Sequence, residues 1–367
     1  MLLAEKQFEK TIKGCLVFRG DGTREWLSRE DTASPTASQE AITTTCVIDA
    51  HEGRDIMTLD VPNAFIQTYM PDAKEGEDRV YMKITGMMVQ ILIDMAPEYR
   101  KYVVLENGKR VIYVRVLRAI YGMLQSSLLF YNQFRSDLEA KGFVFNPYDP
   151  CVANKVVDEK QQTIRFHVDD LMSSHMDPKV NDKFAEWLNM RYGSVQACKI
   201  IRGKIHRYLG MTLDFSVKGK LKIRMNMLED IPIKFNKDSK QEIPAGNNLL
   251  EAGKGKLLSA EYRQIFHTTV PRGLYVSKRA RLDIQSDWKK CVRMMRYLFC
   301  TSLYHLTLSA ESLQVMKWMI NASFAVHPDF KSHTGGTLSF GGGVVSSDVE
   351  ETKAKQQKQY GSGTDCC

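Results

Sequence analysis

Apolar and polar positions change period several times along the chain, and those changes predict its elements. Residues 40–58 (EAITTTCVIDAHEGRDIMT) carry apolar positions at helical spacing and predict a helix. The first half of TLDVPNAFIQTYM is strand-like, and Pro62 bars a helix there. RVYMKI (79–84) and RVIYVRV (110–116) alternate as strands do, with a helical stretch and an ENGK turn between them. LLFYNQFRSDLEAKGF places Leu128, Tyr131, Phe134 and Leu138 on one helical face, and Gly142 ends it. QTIRFHV (162–168), then DD, then LMSSH predicts strand, tight turn, strand. VNDKFAEWLNMRYG predicts an amphipathic helix, and KIHRYLGMTLDFSVKGKLKIRM a hairpin turning at Lys218, Gly219 and Lys220. Residues 1–40 are polar and loop-rich, with RGDGTRE as a turn between short strands. Residues 236–258 predict a linker, DWKKCVRMMRYLF a helix, HLTLSAESLQVMKWMINASF a strand-rich segment and HTGGTLSFGGGVV a glycine-rich hairpin. The polar tail EETKAKQQKQYGSGTDCC predicts disorder.

Composition narrows the class. With 367 residues, 43% hydrophobic and 26% charged, the chain is globular and long enough for two or three domains. No apolar run reaches the roughly 18 residues of a membrane span, and the charged start MLLAEKQFEKTIKG does not read as a signal peptide. The expectation is a soluble, intracellular protein without a membrane partner. Eight cysteines with no CxxC pair predict reduced thiols. A net charge of +8 permits a polyanionic partner. Basic residues gather at Lys199, Arg202, Lys204, His206 and Arg207, and again at Lys278, Arg279, Arg281, Lys289, Lys290, Arg293 and Arg296. They read either as a phosphate track or as solvated helix faces.

Two places put aspartate at the end of an apolar strand: Asp60 after IMTL, and Asp169 with Asp170 at the tip of FHVDDLM. A strand end holds a carboxylate rigidly, and converging hard oxygens suit Mg²⁺. A metal pair about 4 Å apart can activate a hydroxyl and stabilise a leaving group in an in-line displacement. Taken singly, an Asp-Asp tip is a solvated turn and a lone Asp a loop or helix cap. Periodicity alone does not join Asp60 to Asp169.

The order of the motifs does join them. TLDVPNAFIQTYM, RVLRAIYGMLQSSLLFYNQF, GFVFNPYDPCV, FHVDDLM and RYLGMTLDF follow one another as in the copia-type reverse transcriptases of long-terminal-repeat retrotransposons, whose phrases include LDVxNAF and YVDDL. The chain resembles that family closely over 43–215 and more thinly to about residue 347. The resemblance implies an α+β right hand: partial fingers over 1–42, palm and fingers over 43–235, linker and thumb- or connection-like helices over 236–300, an incomplete ribonuclease H-like segment over 301–347, and a disordered tail over 348–367. It implies Asp60, Asp169 and Asp170 as ligands of two Mg²⁺, which Mn²⁺ can replace. Val61 offers a backbone carbonyl near the metals, Phe65 is an aromatic wall against a 2′-hydroxyl, and Gln125 touches the incoming nucleotide. By the same resemblance Lys13 would contact the triphosphate, and Tyr208, Leu209 and Gly210 would form the primer grip.

Further expectations follow from this resemblance. The partners are an RNA or DNA template with its primer, deoxynucleoside triphosphates, and other products of the same polyprotein. The location is cytoplasmic, in a virus-like particle, or nuclear. His167 stands where the family has Tyr and reads as packed and hydrogen-bonded on the primer side, not as a metal ligand, while His175 follows at a spacing that does not suit zinc. Cys15 stands where an arginine is expected, and Asn321 where the first ribonuclease H aspartate belongs. An amide lacks the charge that holds Mg²⁺, so no ribonuclease H activity is expected. The expected function is RNA-directed DNA polymerisation. The alternatives are a decayed copy that at most binds nucleic acid, and a palm-type nucleotide cyclase.

Overall fold

The computed structural model describes residues 2–5, 12–15, 17–71, 79–225, 242–243, 258–280, 288–301, 303–323 and 332–352. Strands β1 (Leu2–Glu5) and β2 (Ile12–Cys15) form an N-terminal hairpin. Gly20–Thr23 is a 3₁₀ turn, so the expected pair of strands around RGDGTRE has none on its far side. Helix α1 (Gln39–Glu52) starts where Ser38 Oγ accepts the Ala41 amide, and stops at Gly53, whose φ of 72° is left-handed. The helix expected to run to residue 58 is therefore shorter. Its last residues instead open β3 (Asp55–Asp60). Four successive residues, Ile56 to Leu59, are buried in a strand covered on both faces, and such a run shows no period of two.

Strand β4 (Tyr81–Thr85), helix α2 (Met87–Met95), β5 (Val104–Glu106) and β6 (Lys109–Arg115) make a small sheet in the order β4-β6-β5. Asn107 and Gly108, both at positive φ, close its hairpin. Helix α3 (Ser126–Ala140) buries Phe130, Tyr131, Phe134 and Leu138. Beyond it lie β7 (Val144–Phe145), β8 (Val152–Val157), β9 (Lys160–His167) and β10 (Asp170–His175). Helix α4 (Pro178–Tyr192) is capped by Asp177, which accepts the Lys179 amide, and leads to β11 (Lys199–Arg202). These strands make an antiparallel sheet of six in the order β11-β3-β10-β9-β8-β7.

The expected single hairpin over 204–225 is three strands: β12 (Ile205–Tyr208), β13 (Met211–Asp214) and β14 (Lys220–Met225). Leu209 and Gly210 supply an extra tight turn. Helix α5 (Ala260–Ser277), with Pro271 inside it, and helix α6 (Trp288–Cys300) follow. Then come β15 (Leu306–Ala310), β16 (Lys317–Ser323), β17 (Ser332–Ser339), β18 (Gly341–Gly342) and β19 (Ser346–Thr352). A five-stranded sheet runs β12-β13-β14-β15-β18, and a three-stranded one β16-β17-β19. The expected glycine-rich hairpin is thus divided between two sheets. The tail expected from 348 contributes Asp348–Thr352 to β19. The chain is α+β, with several antiparallel sheets. The expected linker lies almost wholly outside the described residues, as does the tail beyond Thr352.

Strand alternation sends the central sheet's side chains to two covered faces. On one, Phe166 meets Phe134 at 5.1 Å and Ser173 bonds Asn181 of α4 at 2.7 Å. On the other, Arg165 reaches α1, and Thr58 lies 3.3 Å from His206 of β12. Arg165 is fully buried, and its guanidinium meets Asp49 at 2.6 Å while Ser174 Oγ donates to the other Asp49 oxygen at 2.7 Å. Arg54 adds a second cation 3.6 Å from that carboxylate. Burial opposes the charge of Arg165, but Asp49, with Cys46 and Tyr208, offsets it and the pKa is raised. Asp49→Ala, which strands the arginine, should cost about 3–5 kcal/mol in urea unfolding. The paired change Asp49→Leu with Arg165→Met should cost much less. Equal losses in the two variants would show that the pair is not what ties α1 to the sheet.

Candidate active site

The β9–β10 hairpin turns at Val168 and Asp169, one residue earlier than the Asp-Asp pair suggests. Asp170 is therefore a strand residue. It pairs with His167 on one side and with Asp60 on the other, and Asp60 pairs in turn with Lys199 of β11. Directly opposed residues share a face, so His167, Asp170, Asp60 and Lys199 form one transverse row at the end of the sheet. Asp169 stands at the tip beside it. The Val61 amide donates to the Asp169 carbonyl at 3.1 Å and locks the loop after Asp60 to that tip. Val168 has a φ of 59° although it is β-branched, a strained conformation held by packing of its side chain on the core.

The carboxylates act on one another. Burial raises the Asp170 carboxyl from its ordinary 3.8 to about 6, with the charges of Asp169 and Asp60 adding to the rise. Asp169 is also raised, first by burial and then by Asp60, against the pull of its own backbone hydrogen bond and of His167. Burial and the nearby Asp60 charge push the Cys198 thiol up to about 11. Among the described residues no group of three or more His, Cys, Asp or Glu side chains is arranged to hold a metal ion. The three carboxylates nevertheless stand together at the end of the sheet, with donor chemistry that fits a hard divalent cation.

Two other expected residues lie on the same scaffold. Phe65 opens a 3₁₀ turn five residues after Asp60, and Gln67 clamps that loop by donating to the carbonyls of Pro62 at 2.9 Å and Tyr192 at 2.7 Å. The half-buried Phe65 ring lies 4.6 Å from Tyr121 and 6.4 Å from Phe130, so it packs within an aromatic group. Gln125 is half-buried just before α3, which packs on that turn. No hydrogen bond among the described residues joins Phe65 or Gln125 to the carboxylate row. The expectations for the Lys13 and Cys15 side chains lie outside the described residues.

The turn at Tyr208, Leu209 and Gly210 borders the row, with the buried Tyr208 hydroxyl 3.5 Å from the Asp170 carbonyl. Its backbone is partly engaged already, since Tyr275 of α5 donates to the Leu209 carbonyl at 3.0 Å. Sequence reading gave no sign of this contact.

Several basic-cluster expectations change. His206 is fully buried, bonded to the Gly203 carbonyl at 2.9 Å, and burial lowers its pKa. Arg202 is paired with Asp55 at 3.2 Å and Asp182 at 3.0 Å. Neither is a phosphate-track residue. Lys199, Lys204 and Arg207 are exposed, as is Lys278, while Arg279, Arg293 and Arg296 are half-buried. The Arg281, Lys289 and Lys290 side chains lie outside the described residues. His175 is buried between the Val157 and Lys160 carbonyls and the Asp177 amide. His167 departs from the hydrogen-bonded expectation, because its buried Nδ1 has no partner. Cys46, Cys151 and Cys198 are buried free thiols and Cys300 an exposed one. No helix among the described residues is long and apolar enough to cross a membrane.

No family model matches the chain, and no curated protein matches it. Among solved structures, it is similar to a telomerase from Candida albicans in complex with the TWJ fragment of telomeric RNA. The identity is 11% and the TM-score 0.28, over 56% of this chain and 37% of that one, so the chain spans under half that protein's length. A likeness so distant carries no argument for fold or function.

A carboxyl with a higher pKa folded than unfolded binds more protons in the folded state, so stability falls as pH rises between the two values. For Asp170 that window runs from 3.8 to about 6, and the cost persists above it. Asp170→Asn should therefore raise the melting temperature at pH 8 and leave it nearly unchanged at pH 4. An equal shift at both values would contradict the coupling.

Proposed function

We propose that the chain is an RNA-directed DNA polymerase of a copia-type retrotransposon, adding deoxynucleotides to a primer 3′-hydroxyl on an RNA or DNA template. The observation that carries this reading is the register of Asp60 against Asp170, with Asp169 at the adjoining tip, in a chain whose motifs follow the family's order. The six-stranded sheet with its flanking helices would be the palm, the small β4-β6-β5 sheet part of the fingers, and α5 with α6 the start of a thumb. The β16-β17-β19 sheet would belong to a ribonuclease H-like segment.

Asp60, Asp169 and Asp170 would hold two Mg²⁺. Bound there, the metal would supply charge to activate the 3′-hydroxyl and to stabilise the leaving pyrophosphate. The protein's own share is orientation. The Val61 amide and the Gln67 clamp hold the loop after Asp60. Phe65 narrows the space beside the sugar, so a ribonucleotide is excluded by clash, while Gln125 and Lys13 would contact the nucleotide.

A second reading, a decayed copy that binds nucleic acid without extending it, is favoured by Cys15 and Asn321. Asn321 is an exposed residue of β16 opposite Gly335. It brings no negative charge, and the proposal includes no ribonuclease H activity.

Primer extension by the purified chain separates the two readings. The wild type should extend a primer on an RNA template with Mg²⁺ or Mn²⁺, and Asp169→Asn should lose about 10³-fold or more in rate. Binding without extension by the wild type under both metals would leave only the decayed-copy reading.

A further inference from the structure

Strands β16, β17 and β19 form a sheet whose two outer strands are unlike. The β19 edge reads SSDVEET, with three acidic residues in seven, a composition that discourages pairing with another strand. The β16 edge reads KWMINAS, with neither proline nor glycine and a single charge. That charge is matched within the chain, since Lys317 meets Glu311 at 2.6 Å. β16 pairs with β17 along its whole length, and with no second strand among the described residues. The backbone groups of alternate residues on its outer side are therefore turned toward a place where a further strand would fit.

The side chains of this edge are uncovered as well. Every residue from Gln314 to Ala322 is exposed, Trp318 to 63% and Ile320 to 74%. Alternation puts Trp318 and Ile320 on one face of the strand, and Lys317 and Met319 on the other. Single exposed apolar residues are ordinary, but Val315, Met316, Trp318, Met319 and Ile320 are contiguous, and such a patch marks an interaction surface. With its one cation neutralised, the edge has little to offer a polyanion. It fits a strand of its own character.

We infer that β16 pairs antiparallel with β16 of a second copy of the chain, about a two-fold axis through Met319, so that two three-stranded sheets become one of six. An axis perpendicular to the sheet keeps the faces of the two copies aligned. It opposes Met319 to its own counterpart, Trp318 to Ile320 of the second copy, and Lys317 to Asn321 of the second copy. No like charges meet, and the Trp–Ile contact, made twice, is an aromatic and β-branched pair of the kind that stabilises neighbouring strands. Centring the axis on Lys317 would set two ammonium groups against each other. Val315, Met316, Trp318, Met319 and Ile320 each keep more than half of their surface in water. Covering them in both copies removes on the order of 1,000 Å² from solvent, about the least that a specific interface needs. Both open β16 edges are used up, so assembly stops at the dimer. The contact involves no residue of the carboxylate row and stands apart from the polymerase reading.

The test is sedimentation equilibrium of the full chain, at low salt and over the micromolar range. The wild type should approach twice the chain mass as concentration rises. Met319→Lys places two like charges on the axis and should weaken the dimer by about 10-fold or more, as should Met319→Glu. Mixing these two variants should restore a dimer, because the axis then carries one charge of each sign. Trp318→Thr keeps a strand-forming residue but removes the ring, and should also shift the equilibrium toward monomer. Both positions are exposed, so in dilute solution each variant should keep the melting temperature of the wild type. A wild type that stays monomeric overturns the inference and leaves the edge to a different partner. It is overturned equally by Met319→Lys dimerising as the wild type does, by a Lys and Glu mixture that stays monomeric, or by a wild type that grows beyond the dimer.

Discussion

The register between β3 and β10 is the constraint on which the rest of the site depends. Side chains alternate along a strand, so a slip of one residue would send Asp170 to the opposite face and break its pairing with Asp60. The register is fixed from several directions. Leu59 and Leu171 are opposed and buried on the α3–α4 face, and one row further along Thr58 and Met172 are opposed and buried on the α1 face. The Val61 amide adds a bond to Asp169 beyond the last pair. Packing on both faces therefore specifies where the carboxylates stand, although none of them takes part in that packing.

Several unfavourable local features sit around those carboxylates. Val168 and Leu209, neither of them glycine, both hold positive φ. Asp170 and Asp169 carry raised pKa values. Such costs persist only where the surroundings over-determine the conformation. Here the surroundings include the buried Asp49, Arg165 and Ser174 network, which ties α1 to β9 and β10 on the same face as the carboxylate row. A stable interior thus holds a strained, negatively charged edge, an arrangement suited to charge-neutralising ligands.

The sequence shows much of this and hides the rest for identifiable reasons. Helix α3, its aromatic face and its end at Gly142 follow from the sequence, as do the Glu106–Lys109 hairpin and the body of α4, whose capped start at Asp177 precedes the expected Val180. The start of strand β3 falls within the expected helix over 40–58, although IMTLD also reads as an apolar strand ending at Asp60, because a strand buried on both faces shows no period of two. The β9–β10 turn was set one residue late, since a β-branched residue such as Val168 at positive φ is not a turn signal. Helix α5 was missed, with Pro271 in its interior. The burial of Arg165 has no local sign in the sequence, because its partner Asp49 lies 116 positions away. The three aspartates were found by motif order. Their cross-strand pairing, and the contact of Tyr275 with Leu209, are long-range facts that no local pattern carries.

Directly opposed residues of an antiparallel pair have Cα atoms about 4.5–5.5 Å apart, within the reach of a disulfide. The most direct measurement is therefore oxidative cross-linking of the purified chain carrying cysteines at two chosen positions. The account predicts that the Asp60→Cys, Asp170→Cys pair closes a disulfide rapidly and nearly completely, while Asp60→Cys with Leu171→Cys does not. Preferential closure of the second pair, or of neither, would mean that the two strands are not held as described and that the carboxylates do not share a site.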